Sequence, residues 1–236
     1  MTAMQNKKTR VRDQIPTSSL SELSIFKGMD TLEIEQFLSL IQGYYVSFEK
    51  GEFIGLEGEK ISGIGVLLSG SAVVLKENAT GERHRMATLL PGDIFGEVAV
   101  YTGDIWTASV LAEDRSMVLF LPKKELVNRR NLSEVSVQFQ LNMLSLVSRK
   151  TLKLNQKLEI LSMRSLRQKL IHYLRLEWNR QKCNPIFLSM NREELAEYLQ
   201  VSRPALSREL MEMKKENLIE YHKNEVILKD WFFEIE

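Results

Sequence analysis

Between Ser133 and about Leu161 the chain contains neither glycine nor proline. Within that stretch Leu144, Val147, Thr151, Leu154, Leu158 and Leu161 follow one another at alternating intervals of three and four, the a/d seam of a coiled coil. An unbroken helix of about 29 residues extends roughly 43 Å at 1.5 Å per residue. A small domain cannot cover that length. The chain's own neighbouring β-region can take up part of the seam, and a second copy of the same helix is the simplest partner for the rest. These six residues are therefore the expected interface of a homodimer.

Upstream, residues 1–19 read as a polar arm that carries Lys7, Lys8, Arg10 and Arg12. Ser21 to Ile41 has helical features: Leu32, Ile34, Phe37, Leu38 and Ile41 fall largely on one face, with Asp30 placed to cap. From Tyr44 to Leu121 short apolar runs alternate with Lys50-Gly51-Glu52, Glu57-Gly58-Glu59, Ser69-Gly70, Thr80-Gly81-Glu82 and Pro91-Gly92-Asp93. Closely spaced strands with such turns predict an antiparallel roll or sandwich.

Past Ser162 helical spacing resumes, with Leu166, Leu170, Ile171, Leu174 and Trp178 on one face, Ser165 or Ser162 as cap, and Asn184-Pro185 as the stop. Asn191 followed by Glu194 is a capping-box start for a short helix whose inner face is Leu195, Ala196 and Leu199. Gln200-Val201 breaks it, and Ser202 caps a second helix with Pro204 in its first turn, where a missing N–H costs nothing. Ala205, Leu206, Leu210 and Met213 face inward there; Arg203, Ser207 and Arg208 face outward, with Lys214 and Lys215 beyond. Two strands then flank His222-Lys223-Asn224 as a wing.

Such a pair of helices places its second member in a DNA major groove. Arginine suits bidentate reading of guanine, and serine and helix N-termini suit phosphate. Asn191, Ser202, Arg203, Pro204, Ser207, Arg208 and Lys223 are thus the expected DNA-contact residues. An ordinary α+β domain with solvated arginines is the competing reading, and electrostatics do not decide between them: the net charge is +1. From Arg164 to Glu236 there are 13 basic and 12 acidic side chains, so Glu193, Glu194 and Glu197 must face away from phosphate.

A single cysteine, Cys183, excludes an intrachain disulfide and any cluster held by several thiolates. His84, His172 and His222 lie in three different segments, which argues against an imidazole-rich metal site and a metal-dependent enzyme. No apolar run approaches the roughly 20 residues that cross a bilayer, and the N-terminus lacks the apolar core of a secretion signal. A cytoplasmic location with no membrane contact is expected.

From about Leu20 to about Asp230 the chain resembles the Crp–Fnr family of bacterial regulators. Gly51-Glu52 to Glu57-Gly58-Glu59, Leu68-Ser69-Gly70 and Leu90-Pro91-Gly92-Asp93-Ile94-Phe95-Gly96-Glu97 resemble its cyclic-nucleotide-binding β-roll, and Val201 to Arg208 resembles its recognition helix. The resemblance implies an α+β chain: a polar arm (1–19), a sensory antiparallel roll or double-stranded β-helix (20–130), a dimerisation helix (131–162) and a winged helix-turn-helix (163–236). It implies an effector-responsive transcription regulator, not an enzyme, that acts as a homodimer on palindromic double-stranded DNA with RNA polymerase as a further partner.

Two departures qualify it. Cyclic-AMP-binding members place an arginine and then a hydroxyl residue after the Gly-Glu pair. Here Gly96, Glu97 and Val98 are followed by Ile105, Trp106 and Thr107, with Trp106 where the arginine would stand. Without that cation a buried phosphate is costly, so the roll is expected to take an unidentified effector other than cyclic AMP, or none, leaving a ligand-independent regulator. In the second helix Pro204 replaces a frequent glutamate that can accept from cytosine, so different selectivity is expected at that base pair.

Overall fold

A computed structural model describes residues 9–10 (backbone only), 20–78, 80–103, 105–126, 128, 133–230 and 232. It divides into two compact units, Met1–Val147 and Ser148–Glu236. Lys7, Lys8 and Arg12 of the basic arm lie outside the described residues, but Thr9–Arg10 (β1) pairs antiparallel with Tyr44–Phe48 (β2).

In the first unit the apolar runs form two antiparallel sheets. The larger is ordered β1, β2, β9 (Ser116–Pro122), β4 (Gly63–Ser69), β7 (Ile94–Phe95). The smaller is β3 (Phe53–Gly55), β8 (Ser109–Ala112), β5 (Ala72–Glu77), β6 (Arg83–Leu89). In β9, Val118–Leu121 are buried without alternation, as expected of a central strand covered on both faces. Gly70 closes the β4–β5 turn at φ 82°, and a Cβ there would lie 2.4 Å from the Arg115 carbonyl oxygen. Only glycine fits.

The first helix is shorter than its periodicity suggested. It is α1, Thr31–Leu40, preceded by a 3-10 turn at Ser24–Phe26. Asp30 sets the start: its side chain accepts from the Glu33 amide while Glu33 accepts from the Asp30 amide, both at 2.8 Å. That reciprocal cap satisfies two orphan donors where the earlier residues have already turned away. Leu32, expected on the inner face, is exposed; Ile34, Phe37 and Leu38 are buried.

After α2 (Glu97–Thr102) and the short α3 (Lys123–Leu126), the break-free stretch is one helix, α4, Glu134–Ser162. In the first unit its Phe139 and Met143 are buried, and the Phe139 ring lies 4.4 Å from that of Phe37. Of the six seam residues, Leu144, Thr151, Leu154 and Leu158 are exposed. Val147 is half-buried because it leans on the core of the first unit, and Leu161 is also half-buried. Val137, in register with the seam, and the adjacent Leu141 are exposed as well. Every residue from Ser148 to Asn155 is exposed.

The second unit continues with α5 (Leu166–Gln181), capped by Ser165 in a box with Gln168. It ends at Lys182, which takes the left-handed conformation at φ 53° two residues before Asn184-Pro185. There follow β10 (Ile186–Phe187), α6 (Arg192–Tyr198), α7 (Arg203–Lys215), β11 (Ile219–His222) and β12 (Glu225–Leu228), the strands ordered β10, β12, β11. Leu170, Leu174, Leu195, Leu206, Leu210, Met213 and Val226 form its core. Each such side chain contributes about 1.5–3 kcal/mol by leaving water. Among the described residues no helix is long and apolar enough to cross a membrane, and no three metal-ligating side chains gather.

Candidate nucleic-acid interface

The helix pair is set by its caps. The Asn191 side-chain oxygen accepts from the amides of Glu193 (2.9 Å) and Glu194 (3.0 Å), and the Glu194 carboxylate accepts from the Asn191 amide (2.8 Å). Asn191 is thus a structural cap first. Gln200, at φ 55°, turns the chain, and the Ser202 hydroxyl accepts from the Ala205 amide at 3.3 Å. Pro204 sits in the first turn of α7, as its missing donor requires.

On α7 the inward Leu206, Leu210 and Met213 leave Arg203, Pro204, Ser207, Arg208 and Met211 exposed on the opposite side. The Arg208 Nε donates to the Pro204 carbonyl at 3.3 Å, folding that guanidinium back along its own helix. Lys214 and Lys215, expected to extend the basic face, are engaged instead. Lys214 pairs with Glu220 at 3.1 Å and Lys215 with Glu212 at 2.8 Å. The Lys214 ammonium correspondingly holds the Glu220 carboxyl below the usual carboxylate range.

The far side of α7 is clamped from α5. The Arg167 guanidinium donates to both oxygens of Glu216 at 2.6 Å and to Glu209 at 2.7 Å. Hydrogen bonding to Glu216 and then Glu209 raises the Arg167 pKa, and the same contact lowers that of Glu216. Such charge-assisted fork contacts fix orientation as well as distance. The wing has its own tie. The Arg192 guanidinium lies 4.9 Å from the centre of the Tyr221 ring and donates to the Lys223 carbonyl at 3.2 Å, while burial lowers its pKa. His222 pairs with Glu225, so the turn is only Lys223-Asn224, with Lys223 exposed at φ 54°. Seventeen basic and thirteen acidic side chains lie in Ser148–Glu236, against fifteen and eighteen in Met1–Val147. The excess of cations belongs to the unit that holds the helix pair.

Of the six residues around the Gly-Glu turn and Trp106, where the effector is expected, Gly96 and Trp106 meet: a Cβ on Gly96 would lie 3.3 Å from the indole. Gly96, at φ 80°, starts α2 (Glu97–Thr102), and a Cβ there would lie 2.8 Å from Ile61. Glu97 and Trp106 are buried, whereas Val98, Ile105 and Thr107 are exposed. The Trp106 ring stacks on Phe95 at 6.1 Å. It lies so close over Gly55 that a Cβ on that glycine would be 2.5 Å from the indole, and Phe95 covers Gly65 in the same way at 2.2 Å. Trp106 is therefore packed as core. The Thr107 carbonyl accepts from Lys76 at 2.7 Å, and Lys76 also pairs with Glu57. The Tyr101 hydroxyl donates to Gln140 at 3.0 Å.

Comparison with known proteins gives these two regions a common frame. Residues 45–130 match the cyclic nucleotide-binding domain, and residues 168–232 match the Crp-like helix-turn-helix domain. The chain belongs to the Crp–Fnr family. Like other Crp–Fnr members it is a DNA-binding transcription regulator. It is 25% identical over 196 residues to the cyclic AMP receptor protein of Thermus thermophilus, across 83% of this chain and 87% of that one. Among solved structures it is similar to the catabolite activator protein of Thermus thermophilus, with TM-score 0.52 and 22% identity over 89% of this chain and 97% of that one. It is also similar to the c-di-GMP-responsive global regulator CLP of Xanthomonas campestris, with TM-score 0.55 and 16% identity over 84% and 99%. At these identities the structures speak for the Crp–Fnr fold alone.

Sequence reasoning missed Arg167, Arg192, Met211 and the Phe95–Trp106 stack. One signal was available: Glu209 and Glu216, the C-cap of α7, are seven apart, hence in line with one another and away from Arg203 and Ser207. The Arg192–Tyr221 contact joins residues 29 positions apart, which no local pattern reports.

Proposed function

We propose that the chain regulates transcription in the cytoplasm as a homodimer joined along α4, each α7 entering the major groove of one half of a roughly palindromic site. The observation that carries this is the outer face of α7: Arg203, Ser207 and Arg208 stand exposed on a helix capped at its start and clamped from behind. Arg203 and Arg208 read bases. The Ser202 end of the helix, Asn191 and Lys223 meet phosphate. The exposed Leu144, Leu154 and Leu158 supply the dimer contact, and RNA polymerase is the further partner that Crp–Fnr membership suggests.

Enrichment of binding sequences from a randomised duplex library tests the reading. An inverted repeat with half-sites about one helical turn apart, ~34–36 Å, is expected, together with a dimer by sedimentation. A monomer that enriches a single half-site, or no enrichment, defeats it. At the base pair facing Pro204, a strict requirement for a cytosine pair would count against the assignment of that residue.

Specific observations bear on the effector. The Thermus relative is named for cyclic AMP, but here an indole packed on Phe95 stands where cyclic-AMP-binding members carry a cation. This favours an effector that is not a cyclic phosphate, or a roll that signals without one. Titrating candidate effectors, cyclic AMP included, against affinity for the enriched duplex separates the two.

A further inference from the structure

We infer that α7 carries an apolar stripe, Pro204 and Met211, that reads thymine through its 5-methyl group. The inference rests on the DNA reading above and adds a base preference to it. At 100° per residue, positions seven apart come within about 20° of one another on a helix. Pro204 and Met211 therefore share one line, with Ser207 and Arg208 to either side of it. That line lies opposite the buried Leu206, Leu210 and Met213.

Met211 is 47% exposed. A lone exposed apolar side chain is ordinary on most surfaces. This one occupies the centre of the face that the arginines flank. The lysines that follow it are tied to Glu220 and Glu212. The third turn of α7 consequently presents a flexible thioether chain instead of a cation. In the major groove the one apolar feature of a base edge is the thymine methyl. Pro204, which has neither a side-chain donor nor an acceptor, matches the same group. Seven residues span ~10 Å along the helix, or about three base steps, so the two would meet thymines about that far apart in each half-site.

The test uses the full-length protein and its enriched duplex, with each thymidine replaced in turn by deoxyuridine, which removes only the methyl. Wild-type binding is expected to weaken about fourfold at two positions per half-site, the worth of one buried methyl-sized group. In Met211→Gln the loss at one of these positions should vanish, and in Pro204→Gln the loss at the other, while binding at the remaining positions responds as in wild type. Both substitutions are on the surface, so folding is not at risk, and circular dichroism checks it. The inference is overturned if no deoxyuridine position weakens wild-type binding, or if the same losses persist in both variants. A chain that enriches no duplex at all overturns instead the DNA reading beneath it.

Discussion

The two candidate regions treat their functional residues in opposite ways. In the roll, the residue expected in place of a phosphate-binding cation is turned inward: Trp106 and Phe95 lie as stacked rings over Gly55 and Gly65. In the helix pair, polar side chains do the structural work from behind, Arg167 on Glu209 and Glu216, Arg192 on Tyr221, and the front of α7 is left to the solvent. A residue already packed by its own chain offers little to a ligand, whereas one on a face held out by a clamp, such as Arg203, keeps its donors available. The lesson is that position in a motif does not assign a role until the packing around it is known.

The contrast breaks most readily at Trp106. As a core residue, Trp106→Ala should cost about 3–5 kcal/mol of the roll's stability, read as a lowered urea midpoint. A loss below 1 kcal/mol would mean that the indole lines an open site after all. Arg203→Ala should do the reverse. It should leave stability within about 0.5 kcal/mol and weaken binding to the enriched duplex by about 1–3 kcal/mol, with relaxed base choice.

Much of this contrast was readable beforehand, and its limits are physical. Asp30, Asn191 and Ser202 were identifiable as caps because a cap acts over three residues, and α4 because break-free periodicity is also local. The short β7 and α2 escaped: Ile94–Phe95 is too brief for alternation, and α2 starts from Gly96 with no side-chain cap. The Trp106–Phe95 stack depends on two glycines in other strands, and no spacing along the chain encodes which ring will lie over which glycine.

Arg167→Met sharpens the comparison without touching DNA. Loss of the clamp should reduce affinity for the enriched duplex, by less than Arg203→Ala, through misorientation of α7. It should also alter the pH response. Because Arg167 depresses the Glu216 pKa, the stabilisation is present above the unfolded carboxylate pKa and is lost as pH falls through the folded value. Thermal melts from pH 7 to pH 3 should therefore show wild type losing stability on acidification and the variant losing less; parallel curves would argue against the clamp. Lys223→Ala should give the smallest change, a decrease of about one in the slope of log affinity against log salt with sequence preference intact.

The middle of α4 carries a consequence beyond geometry. Ser148–Asn155 make two turns of helix exposed throughout, held helical by the turns of α4 on either side but leaving Leu152 and Leu154 exposed. In the dimer proposed above, another copy of the chain covers these leucines, so their burial follows mass action. How much of the protein a cell makes would then count as an input alongside any small molecule, and dilution alone would act as an off signal.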